Sequence, residues 1–167
     1  MSNALPTTHR LSEFHKWDKE KALIINPPFQ RKPVWSDRNR SFLIDTILHG
    51  LPVPEIYIQV KTDNEGNTKY VVVDGQQRIR AILDFIEGDL ELLAEECPDY
   101  GGKTFADLPS GVKHDFWDYS LVTRELKTQS EAEVKSVFLR LNKYVAPLLP
   151  QELRNANLWW SVNQNGQ

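Results

Sequence analysis

The stretch YVVVDGQQRIRAILDFI, residues 70–86, decides how the rest of the chain is read. Val71, Val72 and Val73 show no polar alternation, which predicts a strand buried on both faces. Asp74-Gly75 breaks the run. Ile79, Ile82, Leu83 and Ile86 then recur at helical spacing, so a helix is predicted over about 76–87, with Gly88 ending it. Arg78 and Arg80 sit oddly in its opening turns, because positive charge there faces the positive end of the helix dipole.

A glycine turn between a buried strand and a helix leaves backbone N–H groups without intrahelical partners. Such a turn receives anions readily, and an arginine fork can grip a phosphate through two parallel hydrogen bonds. The apolar stripe points Ile79, Ile82 and Leu83 inward and sets Arg78 off the buried face. An anion site accounts for the arginines; so does a structural pairing of Arg78 with Asp74 or with a nearby acidic stretch. The residues leave both open. The stretch is neither a P-loop nor a dinucleotide fingerprint, since the glycine spacings of both are missing.

Upstream, LSEFHKWDKEK (11–21) reads as a short helix with Ser12 as its cap, and Ala22–Ile25 as a short strand that Pro27-Pro28 ends. Ser36 is placed to cap a helix over about 37–48, which Gly50 terminates. LPVPEIYIQV (51–60) reads as a strand entered through prolines, which suit an edge or a strand start, and DNEG (63–66) as the hairpin turn into TKYVVVD. Downstream, residues up to Ser120 form a less regular insertion with short helices, YSLVTREL (119–126) is a strand, and Ser130-x-x-Glu133 opens a helix with Val134, Val137, Phe138 and Leu141 on one face. Leu149–Leu158 makes a last helix. The expected class is α+β (mixed α/β), a single domain.

Composition narrows the function classes. The chain has 167 residues, enough for one domain with a real core. Its net charge of -3 provides no global field toward nucleic acid, so any anion site must be local. Residues 84–99 carry seven acids and no base, while residues 26–40 carry four bases and one acid. One cysteine, Cys97, excludes a disulfide framework and a Cys-rich zinc site. No run approaches the roughly 18 apolar residues of a membrane span, so no membrane partner is expected and a cytoplasmic setting is the default. The abrupt end NANLWWSVNQNGQ leaves open that the chain is a fragment of a longer one.

Read in order, PPFQRKPVW (27–35), GLPVPEIYI (50–58), YVVVDGQQRIRAILDFI (70–86) and VFLRLNKYVAPLLPQELRNA (137–156) resemble the DGQQR-motif family that forms the N-terminal domain of GmrSD-type, modification-dependent restriction systems. The resemblance covers residues 11–157, leaving 1–10 and 158–167 as terminal extensions. It implies a ParB/sulfiredoxin-like fold, a small mixed sheet flanked by helices, in which a glycine-containing turn at a helix start holds nucleotide phosphates.

The same resemblance implies binding and hydrolysis of a nucleoside triphosphate with Mg²⁺, coupled to cleavage of modified DNA. Asp74, Gly75, Gln76, Gln77 and Arg78 would form the phosphate loop, joined by Gln30 and Arg31 and by Arg140 and Asn142. Asp74, Gln76 and Gln77 are the catalytic candidates: Asp74 to hold Mg²⁺ or orient water, either glutamine to position that water. An HNH-type nuclease domain or subunit is the implied partner. His9, His15, His49 and His114 are scattered at no nuclease or metal spacing, and His49 reads as a cation at a helix C-terminus.

The rival reading is a ParB-like module that binds DNA or senses its modification without hydrolysis, using the bases of FQRKPVWSDRNR (29–40) as a phosphate-contacting strip. A scaffold acting only through a partner is the third. Phe29 and Trp35 flank Arg31 and invite base stacking, although large aromatics more often pack cores. Trp159-Trp160 suggests an interface. The acidic stretch is expected to be a solvated face and Cys97 to be inert.

Overall fold

The structure, a computed structural model, describes residues 4–25, 35–128 and 130–144. Contacts divide the chain into two compact units, Met1–Lys135 and Ser136–Gln167.

The first unit is built on a five-stranded mixed sheet. Its strands are β1 (Leu5–Arg10), β2 (Leu23–Ile24), β3 (Ile56–Thr62), β4 (Thr68–Asp74) and β5 (Ser120–Leu126), in the order β1-β5-β3-β4-β2. β3 and β4 form the expected antiparallel hairpin, with Asp63 Oδ1 accepting from the backbone N–H groups of Glu65 and Asn67 in the turn. β5 lies parallel to β3, and β2 parallel to β4. The prolines of 51–60 precede β3 and mark its start; β3 itself is an interior strand, since both its sides carry partners.

β1 has no counterpart in the sequence reading, which starts the domain at residue 11. It pairs antiparallel with β5 from Leu5 to Arg10. LPTTHR lacks apolar alternation, and Pro6 is tolerated because the strand sits at the sheet edge. This strand also relocates the helix cap. α1 (Leu11–Lys19) is capped by Arg10, whose N–H donates to Glu13 Oε2 at 2.7 Å, and Ser12 lies inside the helix.

The predicted helices fall where the periodicity places them. α2 (Asp37–Leu48) starts after Ser36, whose hydroxyl accepts from the Asn39 N–H at 3.3 Å. α3 (Gln76–Glu87) runs from Gly75 to Gly88, both left-handed. A 3₁₀ turn (Phe105–Asp107) and α4 (Ser110–Asp118) occupy the insertion. α5 (Glu131–Tyr144) opens with the Ser130 hydroxyl accepting from the Glu133 N–H. Val134 is buried and Val137, Phe138 and Leu141 are half-buried, while the intervening positions are exposed. The helix read at 149–158 and the Trp159-Trp160 pair lie outside the described residues.

The core lies between the sheet and helices α1 to α4. Phe14, Ile44, Ile56, Ile58, Val72, Ile79, Ile82, Phe85 and Phe116 are at most 1% exposed. Each such side chain contributes about 1.5–3 kcal/mol of transfer free energy, so this cluster drives collapse. Trp17 stacks on Tyr70 and Trp117 packs edge-on to Phe105, so both tryptophans serve the core.

The acidic stretch is not simply a solvated face. Leu90, Leu92 and Cys97 are buried, and four of its carboxylates meet bases from other elements. Asp84 takes Arg40, Glu87 takes Lys19 and His15, Glu96 takes Arg38, and Asp99 takes His49. Those bases come from α1 and the α2 region, so the surplus of acid here answers the surplus of base there. Only their separation in sequence hid the match.

Candidate functional site

Asp74 ends β4, Gly75 turns the chain, and α3 begins at Gln76. Gly75 has φ +96, a conformation L side chains rarely adopt, and a Cβ there would lie 2.3 Å from Ile56 Cδ1. Glycine is therefore required twice over. Gly75, at the cap position, has no side chain to cap the helix, and no acid occupies its first turn. The carboxylate at this helix start is that of Asp74, which lines the same cavity as Gln76 and Gln77.

Arg78 is folded back over this turn. Its Nη2 donates to the Glu55 backbone oxygen at 3.1 Å, and the same nitrogen lies 3.5 Å from Asp74 Oδ2. Its side chain is only 16% exposed, so it is more buried than the helical stripe predicts. The long side chain bends toward the β3 entrance instead of following its Cα outward. Its Nε is buried without a hydrogen bond among the described residues. Burial pulls the guanidinium below its ordinary pKa, and Asp74 only partly opposes that. A desolvated cation with an orphan donor fits an anionic ligand. Arg80 is half-buried and makes no ion pair among the described residues.

The two glutamines face different ways. Gln76 is 6% exposed and donates from Nε2 to the Val72 backbone oxygen at 3.1 Å. Gln77 Oε1 accepts from the Trp35 backbone N–H at 3.1 Å, tying the start of the α2 region to the turn.

Behind the turn lies a network that sequence reasoning missed. Arg124 Nε donates to Glu55 Oε2 at 2.8 Å, and the Tyr57 hydroxyl donates to Glu55 Oε1 at 2.9 Å. Arg124 holds the Glu55 carboxyl below the usual range. Burial, then the bond to Glu55, pushes the Tyr57 phenol up. Tyr57 is also paired in register with Asp74, at a bulge. The signal was faint, because Glu55, Tyr57 and Arg124 look like ordinary strand residues until the parallel pairing of β3 with β5 brings them together.

The structure thus gathers Asp74, Gly75, Gln76, Gln77 and Arg78 with Trp35 around a small cavity of about 110 Å³. Gln30 and Arg31 lie outside the described residues, as does Phe29. Arg140 and Asn142 are exposed residues of the second unit, where Asn142 Nδ2 donates to the Phe138 oxygen. Of the bases in the suggested DNA strip, Arg38 is spent on Glu96 and Arg40 on Asp37 and Asp84.

Asp74 is the lone carboxylate lining the small cavity, and no group of three metal-ligating side chains occurs among the described residues. That set fits Mg²⁺ only in the manner usual for the ion, held by one carboxylate together with ligand phosphates and water. Cys97 is buried, and desolvation followed by its bond to Asp45 pushes the thiol up to about 12, so it supplies no nucleophile. No helix among the described residues is long and apolar enough to cross a membrane.

No curated protein matches the chain. The family model for the N-terminal domain of the GmrSD restriction endonuclease matches residues 11–159, a span that includes β4, the Gly75 turn, α3 and the Glu55–Arg124 network. The chain belongs to the GmrSD restriction endonuclease N-terminal domain family.

Proposed function

We propose that the chain is the nucleotide-binding, NTP-hydrolysing regulatory domain of a modification-dependent restriction or phage-defence system. The observation that carries this reading is Arg78: a buried guanidinium whose Nε has no hydrogen bond among the described residues, held beside the glycine-capped start of α3. Those features favour an anion of phosphate type, and membership of a restriction-endonuclease family supports a regulatory use for it.

In the proposed mechanism the N–H groups at the start of α3 cradle the phosphates, and Arg78 neutralises their oxygens from the side. Phosphoryl transfer asks mainly for positioning and charge neutralisation, which these groups provide. Hydrolysis consumes one water and releases a nucleoside diphosphate, phosphate and a proton. Asp74 is the acceptor that can orient the water, or hold Mg²⁺, which would neutralise phosphate charge. Gln77 lines the cavity and holds the Trp35 backbone, whereas Gln76 stiffens the turn through Val72. Gln30 and Arg31 remain the proposed auxiliary phosphate ligands. The nuclease itself is assigned to another domain or subunit, of HNH type.

The alternative, a ParB-like DNA-binding module, has less support because Arg40 is paired with Asp37 and Asp84 and Arg38 with Glu96. Calorimetric titration of the four ribonucleoside triphosphates with Mg²⁺ tests the choice. Binding that Arg78→Ala abolishes supports the nucleotide site. Unchanged affinity in that variant sinks it, and salt-sensitive DNA binding in its place favours the alternative.

A further inference from the structure

A second cavity of about 420 Å³ adjoins the phosphate turn, within the size range of ligand pockets. It lies between α2 and the segment 51–55, with Trp35, Phe42, Leu43, Pro52 and Pro54 among its walls. Trp35 and Arg78 line both cavities, so the two are neighbours. We infer that this second cavity receives the base of the nucleotide whose phosphates rest on the Gly75 turn. The inference rests on the nucleotide reading and names the subsite that reading lacks.

Three observations select a base over another occupant. The first is registry. Gln77 in the first turn of α3 clasps the Trp35 backbone, so the aromatic wall is fixed relative to the helix start that would hold the phosphates. A ligand anchored at the turn must carry its non-phosphate part toward this wall or into solvent.

The second is the character of the walls. Phe42 is 60% exposed although it belongs to a helix whose other apolar side chains are largely buried, and the indole of Trp35 and the apolar rings of Pro52 and Pro54 line the same cavity. Planar aromatic ligands stack on such surfaces, typically with about 1–3 kcal/mol per base.

The third is the polar edge. The Thr46 hydroxyl is committed to the Phe42 oxygen, and Arg78 to Glu55. The Asn39 side-chain amide lines the cavity and carries no hydrogen bond among the described residues. An amide presents one acceptor and two donors, the complement of a nucleobase edge. A lipid or apolar peptide would leave that edge unmatched. Arg38 and Arg40, the described bases next to Asn39 in sequence, are paired with carboxylates, which offers a strand of DNA little free charge there.

The test compares inorganic triphosphate with the four ribonucleoside triphosphates, by calorimetry with Mg²⁺, on wild type and on Phe42→Ala, Asn39→Ala and Arg78→Ala. Phe42 is largely exposed, so its truncation spares the fold. The expected result is that the preferred nucleotide binds wild type at least tenfold tighter than inorganic triphosphate. Phe42→Ala should then weaken the nucleotide about tenfold and leave inorganic triphosphate unchanged. Asn39→Ala should alter the ranking among the four bases. If Phe42→Ala leaves nucleotide affinity intact while Arg78→Ala weakens both ligands, the base subsite is wrong and the phosphate turn stands. If folded wild-type protein binds neither ligand, both readings fall.

Discussion

Arg78 and Glu55, 23 residues apart in sequence, are joined by a 3.1 Å hydrogen bond from the guanidinium Nη2 to the backbone oxygen. The bond draws the arginine back across the Gly75 turn, where its charge lies beside the helix start instead of in solvent. Glu55 can serve as this anchor because its own carboxylate is held by Arg124 and Tyr57. The placement of Arg78 therefore depends on the parallel pairing of β3 with β5.

Arg78→Ala should weaken triphosphate binding at least tenfold, and Arg78→Lys should not restore it. Lysine supplies one compact ammonium, which cannot bond Glu55 and also present a planar fork to a phosphate. Isothermal titration of the two variants checks this; full recovery in the lysine variant would reduce Arg78 to a point charge.

Gly75→Ala should destabilise the domain by about 2 kcal/mol or more, because it combines a strained φ with a clash on Ile56 Cδ1. Urea unfolding measures it directly. A midpoint unchanged from wild type would show that the turn can relax without cost.

How much of this was legible in the sequence follows from how local each determinant is. α2 and α3 were readable because their stripes, caps and stops lie within a dozen residues, from Ser36 and from Gly75 to Gly88. β1 was not, since its partner β5 is more than a hundred residues away and LPTTHR carries no pattern of its own. At the site, Asp74 through Arg78 were visible as a contiguous motif. Glu55, Tyr57 and Arg124 were not, because their association exists only once the sheet order is set. The burial of Arg78 was misread for a related reason: helical periodicity fixes where Cβ points, but a four-atom stem reaches back to whatever acceptor the neighbouring strand provides.

Gln76→Ala and Gln77→Ala should separate stability from binding. The first removes a nearly buried hydrogen bond to the Val72 oxygen, a cost of about 1–3 kcal/mol in unfolding experiments. The second releases the Trp35 backbone and should weaken nucleotide binding with little change in unfolding midpoint. Equal effects of the two on both measurements would contradict this division of roles.

Cys97 should resist alkylation in the native state. Its thiol is buried and raised to about 12, so almost no thiolate exists near neutrality. Iodoacetamide labelling at pH 8 followed by mass spectrometry should find it unmodified until denaturant is added. Rapid labelling of the folded protein would mean that the packing around Asp45 and Tyr100 opens readily.

His49 should make stability fall as pH rises through the neutral range. It caps the C-terminus of α2, where its Nδ1 donates to the Asp45 backbone oxygen at 2.9 Å and its Nε2 lies 3.2 Å from Asp99. The backbone bond, then the charge of Asp45 and the bond to Asp99, raise its pKa above the ordinary value of 6.5. A raised folded-state pKa means that the folded protein holds the proton more tightly than the unfolded chain. The contribution is complete below pH 6.5 and is lost as pH climbs through the higher folded value. The side chain is 42% exposed, so solvent screening keeps the effect small. Melting temperatures of wild type and His49→Gln, measured from pH 5.5 to 8.5 in low salt, should differ most at the acidic end and converge toward the alkaline end. A difference that grows with pH would reverse the sign and remove His49 from any role as a stabilising cation.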